Sequence, residues 1–100
     1  MIKVVRSVRV QAGKRREAEQ WAHEAADWVN ARFPGANLQV YREVFGAAGT
    51  LYWIGDAEDV ATVERRGAER EADPQWQALV ARGAGLFLPG SIRDTLLRSA

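Results

Sequence analysis

Leu38-Gln39-Val40-Tyr41-Arg42-Glu43-Val44-Phe45, then Gly46-Ala47-Ala48-Gly49, then Thr50-Leu51-Tyr52-Trp53-Ile54-Gly55-Asp56 run end to end through the middle of the chain. The first and last of these segments alternate in side-chain character, the period-2 pattern of a β-strand, and carry β-branched and aromatic residues suited to a pleated surface. The four small residues between them, with a glycine at each end, read as a hairpin loop. An antiparallel pair is therefore expected at 38–45 and 50–56.

The flanks set what this hairpin belongs to. Upstream, Ala18, Trp21, Ala22, Ala25, Val29 and Phe33 recur at helical spacing, which predicts a helix over 14–33 with Glu19, Gln20, His23, Glu24, Asp27 and Asn30 on its wet side. Pro34-Gly35 stops it. Before that, residues 2–10 alternate again: Ile2, Val4, Val8 and Val10 share one face, and Lys3, Ser7 and Arg9 the other, with Arg6 a charged exception on the apolar face. Downstream, Asp56 is a suitable N-cap for a helix at 57–71, with Asp59 adding charge at its start. Val60, Val63 and Gly67 give that helix only a thin apolar stripe. Asp73-Pro74 restarts a helix, in which Trp76, Leu79, Val80, Gly83 and Phe87 repeat to about Leu88. Pro89-Gly90 turns the chain into a last strand at 91–98.

The order strand-helix-strand-strand-helix-strand is the split βαβ, or ferredoxin-like, arrangement. Right-handed crossovers place the helices on one face of a four-stranded antiparallel sheet ordered 4-1-3-2. The fold class expected is α+β, with residues 1–100 as a single domain, since one hundred residues fit one ordinary domain. The face away from the helices carries Lys3, Ser7, Arg9, Gln39 and Glu43, but also Val5, Tyr41, Phe45, Tyr52 and Ile54. That is much apolar area for a small domain to leave wet, and a second sheet packed against it is the simplest cover.

Composition narrows the function classes. A hydrophobic fraction of 47% and a charged fraction of 27% are those of a globular chain. Lys+Arg 14 against Asp+Glu 13 leaves a net charge of +1, with no basic stripe, so nucleic acid is not an expected partner. Absence of cysteine excludes disulfides and thiolate metal sites. No apolar run approaches the roughly 20 residues of a membrane span, and charges break up the N-terminus where a signal peptide needs an apolar stretch. A cytoplasmic location, with no membrane partner, is the expectation.

Three segments carry a resemblance: Leu51-Tyr52-Trp53-Ile54-Gly55-Asp56, the Asp73-Pro74-Gln75-Trp76 restart, and Pro89-Gly90-Ser91-Ile92-Arg93-Asp94-Thr95-Leu96-Leu97. With them the chain resembles NIPSNAP-like members of the dimeric α+β barrel superfamily, along essentially its whole length. The resemblance implies a homodimer joined through the sheet faces. It implies no single activity, because members include cofactor-free antibiotic-biosynthesis monooxygenases, haem-degrading enzymes, isomerases and proteins of unknown role. The Asn-Trp-His set of haem-degrading relatives does not map here, as Arg6 stands where the first-strand Asn would be. No cofactor is expected.

His23 is the only histidine and is expected on the solvent side of its helix. With one His and no Cys, no transition-metal site is expected. Ser7 and Ser91 lack a base, and Gly83-Ala84-Gly85 follows no strand and so is no dinucleotide loop. The informative set is Arg6, Arg42, Trp53 and Asp94, all on the helix-facing side by alternation and readable as one row across the sheet. One reading is a structural Arg6–Asp94 pair. The other is a ligand cleft in which the guanidinium groups take a small aromatic or acidic ligand and Trp53 supplies a stacking face. Two functions follow: a non-catalytic binding module, or a cofactor-free monooxygenase or isomerase. The enzyme needs a general base, and Asp94, the nearby carboxylate, is claimed by Arg6.

Overall fold

In the computed structural model, which describes residues 1–100, eight residues of β1 (Ile2–Arg9) lie at the heart of a four-stranded antiparallel sheet. Its neighbours are β3 (Thr50–Ala57) and β4 (Arg93–Arg98), and β2 (Gln39–Arg42) forms the far edge, giving the order β2-β3-β1-β4. This is the α+β, ferredoxin-like topology expected from the order of elements. Three helices complete it: α1 (Arg15–Arg32), α2 (Val60–Glu71) and α3 (Pro74–Gly83).

The register fixes which side chains share a face. Arg6 lies opposite Trp53 on one side and Asp94 on the other, while Trp53 faces Val40 on β2. On this face α1 packs closely because its stripe is alanine. Ala18, Ala22 and Ala26 are buried against Val8, Leu51 and Trp53, with Trp21 and Phe87 filling in around them. Small side chains let the backbone approach until the Trp53 indole N–H donates to the Ala22 carbonyl at 3.0 Å. The Trp21 indole likewise donates to the Leu79 carbonyl at 2.8 Å, tying α1 to α3. Burying these rings with their N–H groups satisfied is what makes tryptophan tolerable here.

Four boundaries differ from the sequence reading. The α2 cap is Asp59, whose carboxylate accepts from Thr62 N–H and O–H, and not Asp56, which remains in β3 and pairs with Lys3 at 2.7 Å. The third helix ends at Gly83 rather than near Leu88. Two glycines in three residues weaken a helix, and Phe87 gains more by extending: it bridges Val10 in antiparallel fashion and meets Trp21 edge-on, ring centroids 5.4 Å apart. Hydrogen bonds from Gln11 N to Leu86 O and from Leu88 N to Arg9 O, both 2.9 Å, fix that segment beside the end of β1. β2 stops at Arg42, short of the expected Phe45, because the Glu43 side chain turns back to take the Tyr52 hydroxyl and the Ala47 N–H. Gly46 and Gly49, with φ of 92° and 87°, carry the loop, and Phe45 projects from it 91% exposed. β4 begins at Arg93 rather than Ser91, whose hydroxyl instead donates to Leu88 O and accepts from Arg9 N.

No helix covers the opposite face of the sheet. Tyr41, Tyr52 and Ser7 form one cross-strand row there, and Ile54, Val5 and Thr95 the next.

Candidate functional site

Arg6, Trp53, Arg42 and Asp94 all project on the helix side, but the structure divides them between three environments. Asp94, Arg6 and Trp53 do form a row. Arg42 does not extend it: it lies opposite Leu51, two pairs further along, and Val40 holds the place beside Trp53.

At the β4 end, Arg6 grips Asp94 with two parallel bonds, Nε to Oδ1 at 2.7 Å and Nη2 to Oδ2 at 2.9 Å. The fork matches a carboxylate edge, so both charges are stabilised: the guanidinium is pushed up by the bond to Asp94, and Asp94 is pulled down by the same bond. The pair is not sealed from water, with side-chain exposures of 38% and 54%. In the middle, Trp53 is only 8% exposed and is met edge-on by Trp21 at 6.2 Å and Phe87 at 6.3 Å between centroids. Its ring belongs to the core wall.

At the β2 end, Arg42 reaches up to α1 and binds Glu19 through Nε at 2.9 Å and Nη2 at 2.7 Å. Arg15, one helical turn before Glu19, adds a third bond at 3.2 Å. Glu19 is thereby held at about 2, first by the Arg42 hydrogen bonds and then by Arg15, against the opposing effect of burial. Beside this triad lies an open recess of about 300 Å³, between the first turns of α1 and the β2–β3 hairpin. Val10 and Leu51 give it an apolar lining, and Arg15, Glu19, Arg42 and Glu43 its polar wall. Thr50 borders it with a buried hydroxyl that has no partner in the chain. Arg42 Nη1 makes no bond within the protein, so one side of the guanidinium fork stays open. A second recess of similar volume lies across Arg42, lined by Glu19, His23, Val40, Tyr41, Arg42 and Leu51. Exposed His23 sits there one turn beyond Glu19.

Two of these participants are not legible as site residues in the sequence. Helical periodicity puts Glu19 on the wet side of α1, although a basic residue on the helix-facing side of β2 calls for an acid on the helix above it. Alternation puts Glu43 in the strand. It closes the hairpin instead, and its bond raises the Tyr52 phenol above its usual range. No group of three or more His, Cys, Asp and Glu side chains is arranged to hold a metal. No helix is long and apolar enough to cross a membrane.

No protein-family model matches the chain, and neither does any curated protein. Solved structures do. An uncharacterised NIPSNAP domain protein from Burkholderia xenovorans superposes with a TM-score of 0.84 at 21% identity, covering 100% of this chain and 95% of that one. A NIPSNAP family protein from Agrobacterium tumefaciens strain C58 gives 0.84 at 21% identity, over 99% and 92%. A Caulobacter crescentus CB15 protein assigned to the antibiotic biosynthesis monooxygenases gives 0.77 at 21% identity, over 99% and 89%. The fold is thus that of NIPSNAP domain proteins, shared with monooxygenase-type ferredoxin-like proteins.

Proposed function

We propose that residues 1–100 act as one ferredoxin-like module, a homodimer in the manner of a dimeric α+β barrel, that binds a small aromatic or acidic molecule in the cytoplasm. The observation that carries the binding reading is the recess of about 300 Å³ at Arg42. Its apolar lining of Val10 and Leu51 suits a ring, and the open side of the Arg42 fork suits a carboxylate or phenolate oxygen. In this reading Trp53 backs the wall, and the Arg6–Asp94 pair marks the far polar end of the same sheet face. The dimer is supported by the uncovered sheet face with Tyr41, Tyr52, Val5 and Ile54 across it, together with Phe45 standing free of its own subunit.

Binding without catalysis is favoured because the two carboxylates bonded to these arginines, Glu19 and Asp94, are stabilised as anions. A carboxylate held at about 2, as Glu19 is, takes a proton from carbon poorly. Likeness to the Caulobacter monooxygenase-type structure supports the second reading, a cofactor-free monooxygenase or isomerase. Titration of tryptophan emission with 2-hydroxybenzoate tests the first. Wild type is expected to saturate and Arg42→Met to lose at least tenfold in affinity. No saturable response from wild type to hydroxybenzoates or naphthoates overturns it, and steady oxygen uptake with a polycyclic phenol moves the assignment to the enzyme.

A further inference from the structure

Arg70, in the last turn of α2, is a half-buried cation that no protein acceptor takes up. Its guanidinium lies over the Trp76 ring, 5.4 Å from the centroid, and makes no hydrogen bond or ion pair within the chain. Trp76 in turn leans on Trp28, centroids 5.1 Å apart, and Arg32 covers the outer side of Trp28 at 4.8 Å. Arg70 is therefore braced by an aromatic stack, not folded loosely into solvent.

The charges it meets are two of each sign, which leaves its own without a counter-charge. Arg6 and Arg66 repel Arg70, while Asp94 and Glu71 attract it. Both oxygens of Asp94 are already taken by Arg6. Glu71 is exposed and makes no bond to Arg70. Arg66 is committed in part, donating to the Asp56 carbonyl at 2.8 Å. Three guanidinium groups thus face two carboxylates. A guanidinium stripped of water without an acceptor is costly, and a bound anion removes that cost.

Access is open, because no helix closes over β4. Asp94, Leu96 and Arg98 project on the helix side and all six residues of the strand are exposed. Leu96, opposite Val4, gives the neighbouring floor an apolar character.

We propose that the surface between β4 and the α2–α3 junction is an oxyanion site, in which Arg70, braced on Trp76, and the outer side of Arg6 bind a carboxylate or phosphate group. It lies at the β4 edge of the sheet, whereas the Arg42 recess lies at the β2 edge, so the two sites stand or fall separately. The alternative role for Arg70 is to complement the C-terminal end of the α2 dipole. Arg70→Lys preserves that charge but loses the fork.

The test is titration of the full chain with inorganic phosphate and, separately, acetate, holding ionic strength constant with sodium chloride and reading tryptophan emission. A saturable change is expected, since an anion bonded to Arg70 alters the charge held over the Trp76 face. The tighter of the two probes identifies the head group. Arg70→Met should weaken binding at least tenfold and Arg70→Lys severalfold. Without anion, Arg70→Met should melt no lower than wild type. A response that never saturates, equal affinity in wild type and Arg70→Lys, or a lower melting temperature with unaltered affinity in Arg70→Met overturns the site.

Discussion

The half of the sheet beneath α1 and the half that ends at β4 follow the same alternation of side chains, yet they are packed to opposite degrees. Under α1 the alanine stripe brings the helix down onto Val8, Leu51 and Trp53, all buried. At β4 the equivalent positions, Asp94, Leu96 and Arg98, are exposed, and Val4 beside them is only half-buried. The difference lies in the helices. α1 presents Ala18, Ala22 and Ala26 in phase, whereas α2 buries only Thr62 and carries Arg66 and Arg70 toward the sheet. Small apolar residues permit contact, and long cations hold a helix away while covering surface with their stems. The dense half therefore carries stability, with its recess confined to the rim at Arg42, and the open half leaves the sheet face beside β4 accessible.

Truncation at matched positions tests this contrast most severely. Trp53→Ala removes a ring packed on two aromatic neighbours together with its bond to the Ala22 carbonyl, and it should cost about 3–5 kcal/mol in urea unfolding. Leu96→Ala, on the same sheet face but 40% exposed, should cost less than about 1 kcal/mol. Equal losses would show that β4 is covered in solution by something the single chain does not supply.

Added methyl groups probe the same division from the other direction. A Cβ at Gly55 would stand 2.6 Å from the Ala36 carbonyl oxygen and 2.9 Å from Leu38 Cδ1, where β3 passes under the turn that follows α1. Backbone cannot yield there as a side chain can, so Gly55→Ala should destabilise by about 1–3 kcal/mol. At Gly67 in α2 the nearest atom is the flexible tip of Arg70 at 3.9 Å. Gly67→Ala should stabilise by up to about 1 kcal/mol through helix propensity. Thermal melts of the two variants should move in opposite directions.

Much of this was legible in the sequence because periodicity reports local burial well. The strand alternation, the alanine and tryptophan stripe of α1 and the proline-glycine stops place every element of the sheet in the right order. What misled was competition between neighbours. Phe87 fits the helical repeat of Trp76, Leu79, Val80 and Gly83, but a place beside Trp21 and Trp53 outweighs one more helical turn after two glycines. Asp56 and Asp59 are both acceptable caps on local grounds, and Lys3 across the sheet decides between them. The Arg6–Asp94 pairing follows from register alone. The partner of Arg42 does not, since it comes from a helix whose height and rotation over the sheet alternation cannot fix.

Arg6→Met addresses the open half directly. For a bidentate pair this accessible, the loss should be about 1 kcal/mol or less, well below the cost of breaking a sealed ion pair. Urea titration at low and at high salt provides the measurement. A loss of several kcal/mol that salt leaves unchanged would mean that water is excluded from β4, and the division between the two halves would fail there.

A separate effect is expected in acid. Glu19 is pulled from its ordinary 4.5 to about 2 in the folded chain, by Arg42 first and Arg15 after it. A carboxyl whose folded value is depressed contributes its full stabilisation above the unfolded value and loses it as pH falls through the folded one. The Glu19 contribution should therefore be constant above pH 4.5 and vanish between there and about 2. Asp94, lowered by Arg6, acts in the same direction. The two can be separated, because Arg42→Met should return the Glu19 carboxyl toward 4.5 without moving Asp94, and Arg6→Met should do the reverse. Carboxyl carbon shifts followed by NMR from pH 7 to pH 2 read each group by itself. If both carboxyls move in either variant, the two ends of the sheet face are coupled through Trp53, and the dense wall between them transmits what is here taken to be separate.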